Sequence, residues 1–256
     1  MARHPKYSEF PLNPDDPFRS AWGLRLKYGK DDQLGFMNCL TDEVVHEAAK
    51  EIETGTRISL NWPMDAQGDI PFFGRQVFHK NIYSKPPRIV NDETWTFNTQ
   101  GSSQWDGRHF AYQKESKFYN GVTMDDICTT DCYGNGPTPL KHLQAVAESQ
   151  GVEFEFGDIL IIRSGYVATY TNLDRSELES LSKDNFSVVA SDQPSFEFWP
   201  SQQPHMLHEV MLAGWGCPIG ELFNLEASAE QCKKINRYSF FVASELFSPL
   251  IIPAIF

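Results

Sequence analysis

GVEFEFGDILIIRSGY, residues 151–166, decides how this chain is read. Gly151 closes a helix predicted from Pro139 to Gln150, and Gly157-Asp158 turns the chain into Ile159-Leu160-Ile161-Ile162-Arg163-Ser164. A short apolar run bounded by turn residues predicts a buried central strand. Helix, turn and buried strand together are the unit of an α/β domain, and the neighbouring segments repeat the alternation.

Downstream, Val188 to Asp192 reads as a shorter strand ending in polar residues, where a strand delivers side chains to a site. A helix containing His208 to Leu212, another from Glu226 to Lys234, and a last strand from Tyr238 to Ala243 follow. Upstream, Thr41 caps an amphipathic helix in which Val44, Val45, Ala48, Ala49 and Ile52 recur at helical spacing, and Gly55 ends it. Arg57 to Trp62 alternates and stops at Pro63, so it reads as a strand, as does Thr94 to Thr99 before the polar run Gln100-Gly101-Ser102-Ser103-Gln104. The expectation is a single α/β domain over residues 1–256 with a mixed central sheet and a Pro-rich arm over residues 1–20.

The net charge of −12 carries no basic cluster, which excludes a nucleic-acid footprint and leaves a small molecule as the expected partner. Cys39, Cys128, Cys132, Cys217 and Cys232 form an odd set without paired spacing, and no hydrophobic signal segment precedes the Pro-rich start, which predicts a cytoplasmic protein with reduced thiols. The apolar FSPLIIPAIF at residues 247–256 is far below the ~20 residues that span a bilayer, so no membrane partner is expected.

Several separate stretches line up in order with one family: AWG (21–23), GKDDQLGFMNCLT (29–41), ISLNWP (58–63), QWDG (104–107) followed by His109, FYNGV (118–122), the opening stretch, ASDQP (190–194) and LHEVMLAGWGCPIGELFNLEA (207–227). Together they resemble the cyclase family that contains kynurenine formamidase and isatin hydrolase, especially its fungal branch. The resemblance implies a swivelling β/β/α fold, a homodimer, and a divalent metal, manganese or zinc. It also implies hydrolysis or formation of an amide or lactone bond in a small, aromatic molecule, on that branch within fungal secondary metabolism.

The family signature is His-x-x-x-His-x-Asp-x-x-x-His. Its first two positions fall on Gln100 and Gln104, its Asp on Asp106, and its last His, one residue early, on His109. A later His and Glu of the family's ligand set match His208 and Glu221. The resemblance thus implies Asp106, His208 and Glu221 as ligands, with Gln104 and Gln100 as added neutral oxygens. Carbonyl oxygens in place of imidazole lean such a site from zinc toward manganese, magnesium or calcium. Another reading has both glutamines hydrogen-bonding their surroundings with no metal bound, which leaves a metal-free isomerase or cyclase, or a non-catalytic scaffold. His109 is the expected base and Asp106 the second catalytic group. Trp22, Trp105 and Trp215 match aromatic positions that line the family's pocket, and Arg108 is a candidate for binding a substrate carboxylate. Glu221 lies between a Gly/Pro-rich turn and an apolar Leu-Phe pair, where a carboxylate is costly unless paired or bound to a cation. Two stretches depart from the family: Ile127 to Pro139 is much shorter, and the C-terminal segment from Glu245 is replaced.

Overall fold

The computed structural model describes residues 7–22, 32, 34–107, 109–124, 146–155, 157–175, 191–195 and 204–244. Arg108, Cys128, Cys132, the first part of the Pro139–Gln150 helix, Val188 to Ala190 and the C-terminal segment lie outside these residues.

Helix α1 (Asp42–Ala48) begins as its sequence dictates, with the Thr41 side chain accepting from the Val44 N–H and two acidic residues in the first turn. Its apolar stripe is not the core face expected of it. Val45 and Ile52 are about half exposed, and Val44 makes the close contact, against Gly157, where an added Cβ would stand 2.6 Å from Cγ1.

Strands β1 (His79–Ser84) and β2 (Asn91–Thr96) pair antiparallel as a hairpin with every residue exposed. The second pair, β3 (Gln104–Asp106) and β4 (Ile219–Glu221), is short and joins distant parts of the chain, with Gln104 opposite Glu221, Trp105 opposite Gly220 and Asp106 opposite Ile219. Between them in sequence lies helix α2 (Tyr166–Tyr170), and α3 (Glu226–Ile235) follows β4. β4 links two apolar clusters: Ile219 packs with Phe110 and Leu212, and Leu222 with Trp62, Val167 and Tyr170.

Mixed helix and strand in one α/β domain agrees with the sequence expectation, but three expected strands do not form ladders among the described residues. Ile159 to Ser164 contributes one parallel bridge, Ile162 to Ser191, and Ile159 and Leu160 are exposed rather than buried. Arg57 to Trp62 and Tyr238 to Ala243 are irregular. β-propensity describes fit to a neighbouring pleated surface, and without a described partner these runs keep only their extended bias.

The expected helix at His208 to Leu212 exists, but from Glu209–Gly214 it is a π-helix. Its C-terminal end meets the segment Gly35–Cys39, where Gly35 and Gly216 both have positive φ. A Cβ on Gly35 would stand 2.5 Å from the Gly216 backbone, so this backbone-on-backbone contact admits no side chain. No helix among the described residues is long and apolar enough to cross a membrane.

Candidate metal centre

Strand alternation decides what β3 presents. Gln104 and Asp106 share one face, and Trp105 takes the other. Trp105 packs edge-on against Phe223 at 5.2 Å and donates its indole N–H to Ser244 Oγ at 2.8 Å, so it is carried away from the face of Asp106. Gly220, opposite it on β4, has no room for a side chain, because a Cβ would lie 2.5 Å from the Phe223 ring and 3.0 Å from Trp105. With that face filled by rings, Glu221 emerges on the other, beside Gln104. The chain then kinks at Leu222, a fully buried residue with φ of 54°. A bulky residue there is strained, and the tie from Ser103 Oγ to the Leu222 carbonyl at 2.5 Å helps hold it.

The third side chain arrives from the entry to the π-helix. His208 lies against the Phe110 ring at 5.1 Å, with Nε2 3.4 Å from Glu221 Oε1. Asp106, His208 and Glu221 are all buried, and one ligand atom from each lies within 4.8 Å of the others. Two carboxylates withdrawn from water at this spacing repel one another. Burial, and then the charge of Glu221, push the Asp106 carboxyl up to about 6 from an ordinary 3.8. A divalent cation resolves both costs at once.

The donor set fits such an ion: one imidazole nitrogen and two carboxylate oxygens meet the three-ligand minimum of a catalytic site. The glutamines stand one step back. Gln100 donates its amide N–H to Asp106 Oδ1, and Gln104 donates to Glu221 Oε2 at 2.9 Å and to Gln100 Oε1 at 3.3 Å. Through these N–H groups the two amides orient the carboxylates, as the alternative reading of the glutamines expected. Of the two glutamines, Gln104 keeps a buried amide oxygen, Oε1, with no hydrogen-bond partner among the described residues, an acceptor open to a cation.

His109 sits at the rim, half exposed, with Nδ1 3.6 Å from Asp106 Oδ1. The Gly107 N–H donates to that Nδ1 at 3.3 Å, which leaves the proton of the neutral ring on Nε2. Trp22 and Trp215 are both partly buried and tied to backbone carbonyls. The Trp22 indole donates to the Ala213 carbonyl at 2.7 Å, and that of Trp215 to the Arg19 carbonyl at 2.9 Å while its ring stacks on Phe36. His205 stacks on Phe18 at 4.6 Å, outside the group of three.

Arg75 is a site residue that the sequence did not single out. The turn Phe72–Gly74 is held by Gln67, which accepts from the Phe72 N–H and donates to the Gly101 carbonyl, each at 2.6 Å. From there the guanidinium reaches the Gln100 carbonyl at 2.5 Å and Gln100 Oε1 at 3.5 Å. Glu221 and Asp106 both act on its charge. The only cue in the sequence is a lone arginine after the apolar Pro71-Phe72-Phe73-Gly74.

The buried carboxyl of Asp106 gives the site a pH dependence. Its folded-state value lies above its unfolded one, so the stability it contributes to the metal-free protein is fully present below about pH 3.8 and is lost as pH rises through about 6. A cation needs the ionised form. Divalent-ion affinity, followed by titration calorimetry, is therefore expected to be level above pH 7 and to fall by up to about tenfold per pH unit below 6. An affinity unchanged from pH 7 to pH 4.5 would exclude Asp106 as a ligand.

Fold and site together define a class: a single α/β domain with a buried Asp/His/Glu group that could hold a metal ion. No family model matches the chain, and no curated protein matches it. Among solved structures, the chain is similar to the crystal structure of a novel cyclase, with 25% sequence identity, a TM-score of 0.75, and coverage of 90% of this chain and 95% of that one. That similarity supports the cyclase family for this chain.

Proposed function

We propose that this protein is a metal-dependent hydrolase or cyclase acting on an amide or lactone bond of a small, aromatic molecule. The observation that carries the reading is the convergence of Asp106, His208 and Glu221, three buried groups from β3, the π-helix entry and β4, within 4.8 Å. Similarity to a cyclase structure over most of both chains supports the reaction class. A divalent ion held by these residues supplies a Lewis acid for the carbonyl and a water ionised near neutral pH.

The chain's own groups divide the remaining tasks. Asp106, His208 and Glu221 hold the ion, and the amides of Gln100 and Gln104 fix the two carboxylates as outer partners do in metal sites. His109, at the exposed rim and 3.6 Å from Asp106, is placed to move a proton between the site and the leaving group. The swivelling arrangement of the wider fold belongs to this proposal. The direct test is metal content and turnover of a panel of aryl amides and lactones, in the parent and in Glu221→Ala.

One observation favours a second reading, a metal-free isomerase or cyclase. The amides of Gln100 and Gln104 already satisfy the carboxylates without an ion, and a carboxyl near 6 is suited to acid–base work. Turnover that survives exhaustive chelation would select it.

A homodimer completes the proposal, supported by the β1–β2 hairpin. Isolated two-stranded hairpins are marginal in water, and this one exposes Ile82, Ile89, Val90 and Trp95. Light scattering is expected to give twice the 29.2 kDa chain mass, reverting to a monomer in Ile82→Asp/Ile89→Asp with unchanged circular dichroism. A monomeric parent would end the dimer proposal.

A further inference from the structure

Among the described residues, Arg75 makes no ion pair within 4 Å, although it stands beside two buried carboxylates. A guanidinium has five N–H donors. Here the hydrogen bonds come from Nη1 and Nη2, and both end on Gln100. Its outer face lies over the Phe73 ring at 5.2 Å. Phe73 takes φ of 58° to put that ring there, a conformation costly for an aromatic residue and of the kind that gathers at ligand sites. The turn thus holds a cation in place and leaves donors of its fork unused.

Charge balance says what those donors are for. Asp106 and Glu221 together carry two negative charges, which the divalent ion proposed above neutralises. Arg75, partly withdrawn from water, is then left as net positive charge, and a planar fork with free N–H groups matches a carboxylate in bidentate fashion. Lying one side chain from Asp106 through Gln100, it is close enough to hold one end of a small molecule whose other end meets the ion. We infer that Arg75, held by the Phe72–Gly74 turn and Gln100 beside Asp106 and Glu221, anchors a carboxylate carried by the substrate, which makes the substrates acidic amides or lactones. Arg108, the sequence's candidate for such a role, lies outside the described residues, and Arg75 comes from another loop.

The inference rests on the divalent-ion reading for its charge balance, and the test separates the two. Benzoate and its neutral counterpart benzamide serve as probes, titrated calorimetrically into manganese-treated parent, Arg75→Gln and Arg75→Lys, with metal content measured on each sample. The expected result is benzoate binding in the parent, weakened about tenfold or more in Arg75→Gln and by less in Arg75→Lys, with benzamide binding and metal content the same in all three. Equal benzoate affinity in parent and variants at full metal content would overturn the anchor, as would a parent that binds benzamide as tightly as benzoate. Should Arg75→Gln fail to fold, Arg75→Lys decides alone, since unchanged benzoate affinity in it would remove the need for the fork. A protein that takes up no manganese refutes the metal reading by itself. In that case benzoate binding that Arg75→Gln abolishes still supports the anchor, and no benzoate binding at all overturns it.

Discussion

Glu221→Ala is expected to fold and to lose its divalent ion. Three buried groups converge, and removal of one leaves only Asp106 and His208, short of the number that holds a catalytic ion against dialysis. Loss of an outer partner of a ligand costs 10–100-fold in affinity, so loss of a ligand itself is expected to cost at least ~100-fold. The fold is expected to persist because the metal-free site is already strained by two carboxylates in close quarters. The deletion relieves the repulsion that, after burial, pushes Asp106 upward. Against that gain stands the Gln104 amide, which loses its acceptor on Glu221, a penalty of about 1–3 kcal/mol. Elemental analysis is expected to give one equivalent of metal in the parent and none in the variant, with a metal-free melting temperature close to that of the parent. Full metal content in Glu221→Ala would show that the ion is held elsewhere.

The second large effect is a gain. Gln100→His with Gln104→His is expected to tighten zinc binding by about two orders of magnitude, because imidazole suits zinc where an amide oxygen suits harder ions. Geometry favours the exchange. Each glutamine already ends beside a ligand oxygen, Gln100 on Asp106 and Gln104 2.9 Å from Glu221, so a ring nitrogen of similar reach arrives at the edge of the same site. Manganese affinity should rise less, which turns the zinc-to-manganese ratio into the decisive number. A ratio unchanged from the parent would mean that no ion sits between these side chains.

What could be read from the sequence was local chemistry, and what could not was partnership. Glu221, in apolar surroundings where a carboxylate needs a counter-charge, is indeed buried beside an imidazole and an amide. The Thr41 cap needed only neighbours three residues away and formed as expected. By contrast, Ile159-Leu160-Ile161-Ile162 has the composition of a core strand, but burial requires surfaces on both sides, and two of its residues are exposed. The π-helix after His208 depends on a backbone register that apolar spacing does not encode. Trp105 could have been placed correctly from sequence, since a residue next to Asp106 in an extended strand must face away from it. Arg75 could not, because the turn that aims it has no periodicity and relies on a positive φ at Phe73.

The pairing of β3 with β4 also fixes when in the life of the chain its site comes into being. Gln104 and Glu221 meet across 117 residues, so the entropy of closing that long loop is spent before the contact returns anything. A nascent chain that has exposed Asp106 still lacks His208 and Glu221, and local folding of its first half gains nothing from the ion. Capture of the proposed ion would thus be a late event, and it would stabilise only molecules that have already brought their two distant strands together.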